Sequence, residues 1–174
     1  MANAHNFFAG PAVLPDPVLD AAASAVKNYK DLGMGVVEIS HRSKDFVEIH
    51  DQAVADMKEL MGLGDDHHVL FLSGGASSQF ALVPMNFLHK SADYVDTGRW
   101  STKAIDEAEQ FGNVNVVFSG KDNGYSAFPT EFDFDANADY VHVTSNNTVA
   151  GTQMKVFPKT SKPLVCDMSS DMLS

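Results

Sequence analysis

Cysteine is almost missing from these 174 residues, with Cys166 standing alone. One thiol cannot build an internal disulfide framework, and such usage fits a reducing compartment. Long apolar runs are missing too, since none approaches the roughly 18 residues that signal a membrane-spanning helix. The start, MANAHNFFAG, has neither a basic flank nor an apolar stretch, so it does not read as a secretory signal and a cytoplasmic location is expected. Basic side chains are scarce, 12 against 23 acidic, for a formal charge of −11. That field argues against nucleic acid or an anionic membrane as partner. A small anionic ligand remains compatible, because a local cluster can override the global sign. Only two arginines occur, Arg42 and Arg99. Arginine is the side chain suited to bidentate recognition of carboxylate or phosphate.

What is present reads as one ordinary domain or part of a larger one. The Pro- and Gly-rich stretch 6–17 is expected to be an ordered arm. Asp16 before Pro17 predicts a helix start, with Asp16 as cap, and Val18, Leu19, Ala22, Ala23 and Val26 form its apolar stripe. Ser43 predicts the cap of a second helix carrying Phe46, Ile49, Ala53, Met57 and Leu60, ended by Gly62-Leu63-Gly64. Beyond it the chain alternates. Apolar runs at 68–72, 93–96, 114–118, 140–144 and 163–166 read as strands. Helix-compatible stretches lie near 77–89 and 101–110, the first kinked or shortened by Pro84. Residues 119–138, with Asn123-Gly124 and Pro129, read as a long polar excursion with a turn. The expected class is α/β, a mostly parallel sheet flanked by helices.

Four distinctive segments follow predicted strands: 73–77 (SGGAS), 97–100 (TGRW), 145–148 (SNNT) and 167–170 (DMSS). In open α/β sheets ligands bind beyond the carboxyl ends of the strands, so all four are expected at one rim. Gly74-Gly75-Ala76-Ser77 opens a helix and could bring backbone N–H groups to an anion, although a plain strand-to-helix turn explains such a run about as well. Trp100, the one tryptophan, could stack on a flat ligand or simply fill the core. Asp167 at the end of an apolar strand calls for a partner, and a protonated ring nitrogen is one such partner. A metal is disfavoured, because no histidine or carboxylate spacing supports one, and His67 and His68 read as strand-edge residues. His41 and Arg42, just before a capped helix, suit an anionic substrate group, or else Arg42 pairs with Glu38 or Asp45 in a polar loop.

These segments, in this order, resemble the phosphoserine aminotransferases of the class V, fold-type I group of pyridoxal-phosphate enzymes. The matching stretches are NFFAGPAVLP, VEISHRSKDF, FLSGGASSQFALVPMNFL, DYVDTGRWSTKA, TSNNTVAGTQ and VCDMSSDMLS, together spanning nearly the whole chain. The resemblance implies pyridoxal 5'-phosphate as cofactor, with Ala76 and Ser77 on its phosphate and Trp100 stacked on its ring. It gives Thr148 to the ring hydroxyl region and Asp167 to the pyridinium nitrogen. It also implies that His41 and Arg42 hold substrate phosphate or carboxylate, within one protomer or across a homodimer interface. The implied reaction moves an amino group between glutamate and 3-phosphohydroxypyruvate, in serine biosynthesis.

By that resemblance residues 1–15 form an N-terminal arm and 16–174 the N-terminal part of the cofactor-binding large domain. The rest of that domain and a small C-terminal domain would lie outside this sequence. The family's Schiff-base lysine falls some tens of residues past the match to Asp167, hence beyond Ser174. Residues 1–174 alone are therefore expected to be inactive, and no catalytic residue is assigned within them. Two alternatives stay open, a non-enzymatic cofactor-binding or dimerisation module and a class V aminotransferase of other substrate.

Overall fold

The computed structural model describes residues 4–174. The described chain divides into two compact units, one running to Leu72 and the other from Ser73 to Met172.

In the first unit, α1 spans Asp16–Lys27 and α2 spans Lys44–Met61. Asp16 is already helical and Pro15 takes the cap position, so the expected Asp16 cap is displaced by one residue. Pro15 can serve there because its φ of −60° and ψ of 142° are extended, as a cap requires. Ser43 caps α2 as expected, its hydroxyl accepting from the Phe46 N–H at 3.2 Å. Gly62 closes α2 in the left-handed conformation, φ 63°, which glycine adopts without a Cβ clash. Neither helix contains a buried residue. The run 68–72 is a correction: it enters none of the ladders and Leu70, Phe71 and Leu72 are exposed. A short apolar run shows only that its side chains could be buried; a strand also needs a backbone partner, and periodicity is silent about that.

The second unit holds the sheet. Helix α3 (Ala76–Phe87) precedes β1 (Ser91–Asp96), α4 (Arg99–Ala108), β2 (Asn113–Ser119) and β3 (Val141–Thr144). A two-residue antiparallel pair follows, β4 (Asn146–Asn147) with β5 (Thr152–Gln153), and then β6 (Leu164–Asp167). The order β2-β1-β3-β6 is parallel throughout. The α/β class with a parallel sheet flanked by helices is thus what the chain adopts. Pro84 lies inside α3, which ends at Phe87, two residues earlier than the pattern suggests. With no N–H on Pro84, the carbonyl one turn earlier loses its helical donor.

Alternation along the strands builds two apolar layers. Ala92, Tyr94 and Tyr140 pack with Phe80 and Leu88, and with Ala104, Ile105 and Ala108 of α4. Val95, Val141 and Val143 face the other way, against Met154, Phe128, Phe132 and Phe134. The stretch read as a polar excursion therefore supplies aromatic cover to the second face. Its turn is real, a 3-10 segment at Lys121–Asn123 followed by Gly124 at φ 66°. The polar residues between its phenylalanines hid the packing role.

Candidate active site

β1, β3 and β6 run side by side in one direction, so the chain leaves all three at the same edge of the sheet. Thr97 to Trp100 follow β1, Ser145 to Thr148 follow β3, and Met168 to Ser170 follow β6. Hydrogen bonds tie these segments together. The Trp100 indole Nε1–H donates to Thr148 Oγ1 at 3.2 Å, and the Trp100 backbone N–H donates to Asn147 Oδ1 at 3.2 Å. Asn146 Nδ2 donates to Ser170 Oγ at 2.9 Å. Ser145 N–H donates to the Asp167 carbonyl at 3.0 Å.

Beneath this edge lies an open cleft of about 290 Å³, lined by Ala76, Phe80, His142, Asp167 and Met168 among others. The Asp167 carboxylate accepts the Ser169 N–H and hydroxyl, both at Oδ1, and Oδ2 has no donor among the described residues. His142 is buried and its Nδ1 has no hydrogen-bond partner. Burial pulls its pKa down to about 4, against a smaller opposing pull from the Asp167 charge. The imidazole is therefore neutral at physiological pH. Burial also pushes the Cys166 thiol up to about 11, so it stays protonated and unreactive.

Asp96 ends β1 fully engaged. The Ser101 and Thr102 hydroxyls each lie 3.0 Å from Oδ1, while Ser119 Oγ at 2.7 Å and Tyr125 OH at 3.3 Å meet Oδ2. Ser101 Oγ also accepts the Thr97 and Gly98 N–H groups, both at 2.9 Å, which fixes the turn leading to Trp100.

A protein-family model described as aminotransferase class-V matches residues 4–172. The chain belongs to the class V aminotransferases. Among members of this family, a phosphoserine aminotransferase from Desulfatibacillum aliphaticivorans is 53% identical over 174 residues, covering 98% of this chain and 48% of the relative. A solved phosphoserine aminotransferase from Bacillus circulans subsp. alkalophilus superposes with TM-score 0.88 at 42% identity, over 92% of this chain and 46% of that one. A pyridoxal-phosphate-bound phosphoserine aminotransferase from Trichomonas vaginalis gives TM-score 0.86 at 35% identity, over 98% of this chain and 49% of its own. The chain thus spans about half the length of the curated relatives it matches.

Of the residues singled out from sequence, Ala76 and Asp167 share the cleft wall, and Trp100 and Thr148 are bonded to each other. Ser77 is exposed in the first turn of α3. His41 and Arg42 lie in the first unit and are exposed. Arg42 makes no ion pair with Glu38 or Asp45; Glu38 instead accepts the Gly35 N–H at 2.7 Å. Among the described residues no group of three potential metal ligands exists, and His67 pairs with the neighbouring Asp66 at 2.8 Å. Among the described residues no helix is long and apolar enough to cross a membrane. Sequence reasoning passed over His142 and Asp96, and gave Asn147 no role beyond its place in the segment 145–148. The first two sit at inward positions of strands, where polarity itself was the signal.

Proposed function

We propose that the protein carrying this chain is a phosphoserine aminotransferase, moving an amino group between glutamate and 3-phosphohydroxypyruvate with pyridoxal 5'-phosphate as cofactor. The observation that carries this reading is the gathering of Trp100, Thr148 and Asp167 beyond adjacent parallel strands in a class V aminotransferase chain. The donor set suits the cofactor. First-turn N–H groups of Ala76 and Ser77 have no acceptor outside α3, and a helix N-terminus favours a phosphate. Thr148 Oγ1 already accepts from Trp100, so its own proton is free for a ring hydroxyl oxygen. Asp167 Oδ2 is left for a ring N–H, and its charge holds a proton at that nitrogen. The Trp100 indole offers a flat face that keeps water off one side of a ring.

When bound, pyridoxal phosphate supplies the electron sink for breaking a bond at the amino-bearing carbon. The 174 residues hold the cofactor through the contacts just named, and no lysine follows Asp167 within them. His41 and Arg42 take the substrate phosphate or carboxylate in a homodimer; both are exposed, and a guanidinium suits bidentate recognition of either group. The single cysteine among these 174 residues supports a cytoplasmic setting.

Titrating the protein with pyridoxal phosphate while following near-ultraviolet absorption, and assaying the complete protein with glutamate and 3-phosphohydroxypyruvate, tests the proposal. Saturable binding with amino transfer is expected. Binding without transfer to that acceptor would overturn the substrate assignment, and no saturable binding would overturn the cofactor.

A further inference from the structure

Helix α4 carries Trp100 in its first turn, yet its own cap position is Gly98, which has no side chain to offer. The N–H groups of a first helical turn need acceptors from outside the helix. For Trp100 that acceptor comes from 47 residues along the chain, Asn147 Oδ1 at 3.2 Å. The other end of the same amide, Nδ2, donates to Thr97 Oγ1 at 2.9 Å. Asn147 is 1% exposed; its bond to Thr97 is buried and its bond to Trp100 partly so, which makes the amide hard to replace by water.

Gly98 completes the fit. A Cβ added there would sit 2.6 Å from Asn147 Cγ and Oδ1, so the amide occupies the space a side chain would need. Asn147 also lies in β4, paired with Thr152, directly before Thr148. Its backbone therefore sets where Thr148 stands, while its side chain sets where Trp100 stands. Those two residues then meet at 3.2 Å.

We propose that Asn147 is a positioning residue for the cofactor ring: one buried amide caps α4 in trans and so fixes the stacking indole of Trp100 relative to the hydroxyl of Thr148. This rests on the cofactor reading above. Asn147 touches neither ring nor phosphate in this scheme; it acts through Trp100 and Thr148. Deleting it releases the indole from its partner hydroxyl, and a platform that must find its own place binds less tightly.

Trp100 is the only tryptophan in these 174 residues; with any tryptophan elsewhere in the complete protein replaced by phenylalanine, fluorescence reports on this element alone. Asn147→Leu keeps the branched outline of the side chain, with two methyl groups in place of the amide atoms, and removes both bonds, whereas Asn147→Asp keeps an acceptor for the Trp100 N–H. In Asn147→Leu we expect red-shifted emission, greater acrylamide quenching, and pyridoxal-phosphate affinity, read by quenching of Trp100, weaker by about 10-fold, as the loss of a hydrogen bond implies. Asn147→Asp should restore affinity to within about 3-fold of the parent chain. Val141→Ala, buried in the opposite layer, controls for destabilisation and should leave affinity unchanged. Thr97→Val, which removes the acceptor for Nδ2 together with a long 3.5 Å bond to the Thr144 carbonyl, leaves the Trp100 cap in place, gives a milder loss and serves if Asn147→Leu does not fold. A folded Asn147→Leu with unaltered emission and affinity overturns the positioning role. So does an affinity loss matched by Val141→Ala. Absence of cofactor quenching in the parent chain overturns the cofactor reading, and the positioning role with it.

Discussion

The imidazole of His142 lies almost flat on the phenol of Tyr94, with 4.7 Å between ring centres and 15° between planes. That stack keeps a titratable group in an apolar layer and holds it neutral. An unfolded chain takes up a proton on such a histidine near pH 6.5. The folded protein resists until about pH 4. Between those values the unfolded state binds more protons, so stability rises with pH across the window and is lost as pH falls through it. From pH 7 to pH 5 the loss from this one residue should be about 2 kcal/mol. Urea unfolding at the two pH values checks this. His142→Phe keeps the stack and should flatten the dependence; an unchanged slope would assign it to other groups.

Tyr94 and Tyr140 share a buried hydroxyl–hydroxyl bond of 2.8 Å, and burial pushes both phenols up in pKa. Removing one hydroxyl strands the other. Tyr94→Phe should cost about 1–2 kcal/mol. The double change to phenylalanine should cost less than the sum of the single changes, because no unpaired oxygen remains. A double-mutant cycle by denaturant unfolding measures the coupling.

Four hydroxyl groups surround the Asp96 carboxylate, which is 5% exposed. An amide there turns an NH₂ group toward donors that previously met an acceptor. Asp96→Asn is expected to lower stability by about 2–3 kcal/mol, the range for bonds to a charged group. A thermal midpoint equal to the parent's would show that the hydroxyls simply reorient.

Asp167→Ala removes the acceptor reserved for a ring N–H while leaving the cleft open. In the complete protein amino transfer should fall by at least about 100-fold, since a ring nitrogen without a carboxylate partner loses its proton more readily. Asp167→Glu should recover little, because the longer arm misplaces the charge. Steady-state assay of both variants decides; near-parental activity in Asp167→Ala would remove this residue from the scheme.

Much of this was legible in the sequence for specific reasons. The strands now seen at 91–96, 113–119, 141–144 and 164–167 announced themselves because each holds a short run of β-branched, aromatic or other apolar residues. Ser43 and Gly62 announced the ends of α2, because caps depend on local backbone chemistry. The run 68–72 misled because its pairing is not encoded locally. Phe128, Phe132 and Phe134 hid behind intervening charges. Asn147 was placed at the rim with its segment but given no role of its own, because its meaning lies in Gly98, 49 positions earlier.

Strand β6 pairs with β3 so that Thr144 stands opposite Asp167. Neighbouring side chains on a strand point to opposite faces. Val165 lies on the face of Tyr94 and Phe80, whereas Cys166 joins the layer of Phe128 and Phe134. Asp167 returns to the first face, on the wall of the cleft. The aim of this carboxylate is therefore a matter of parity. One residue inserted within 164–167 would turn the charge into the aromatic layer and offer the cleft a thiol instead. The same insertion in the loop before Pro163 would be absorbed without changing the count. Along these four positions the number of residues matters as much as their chemistry.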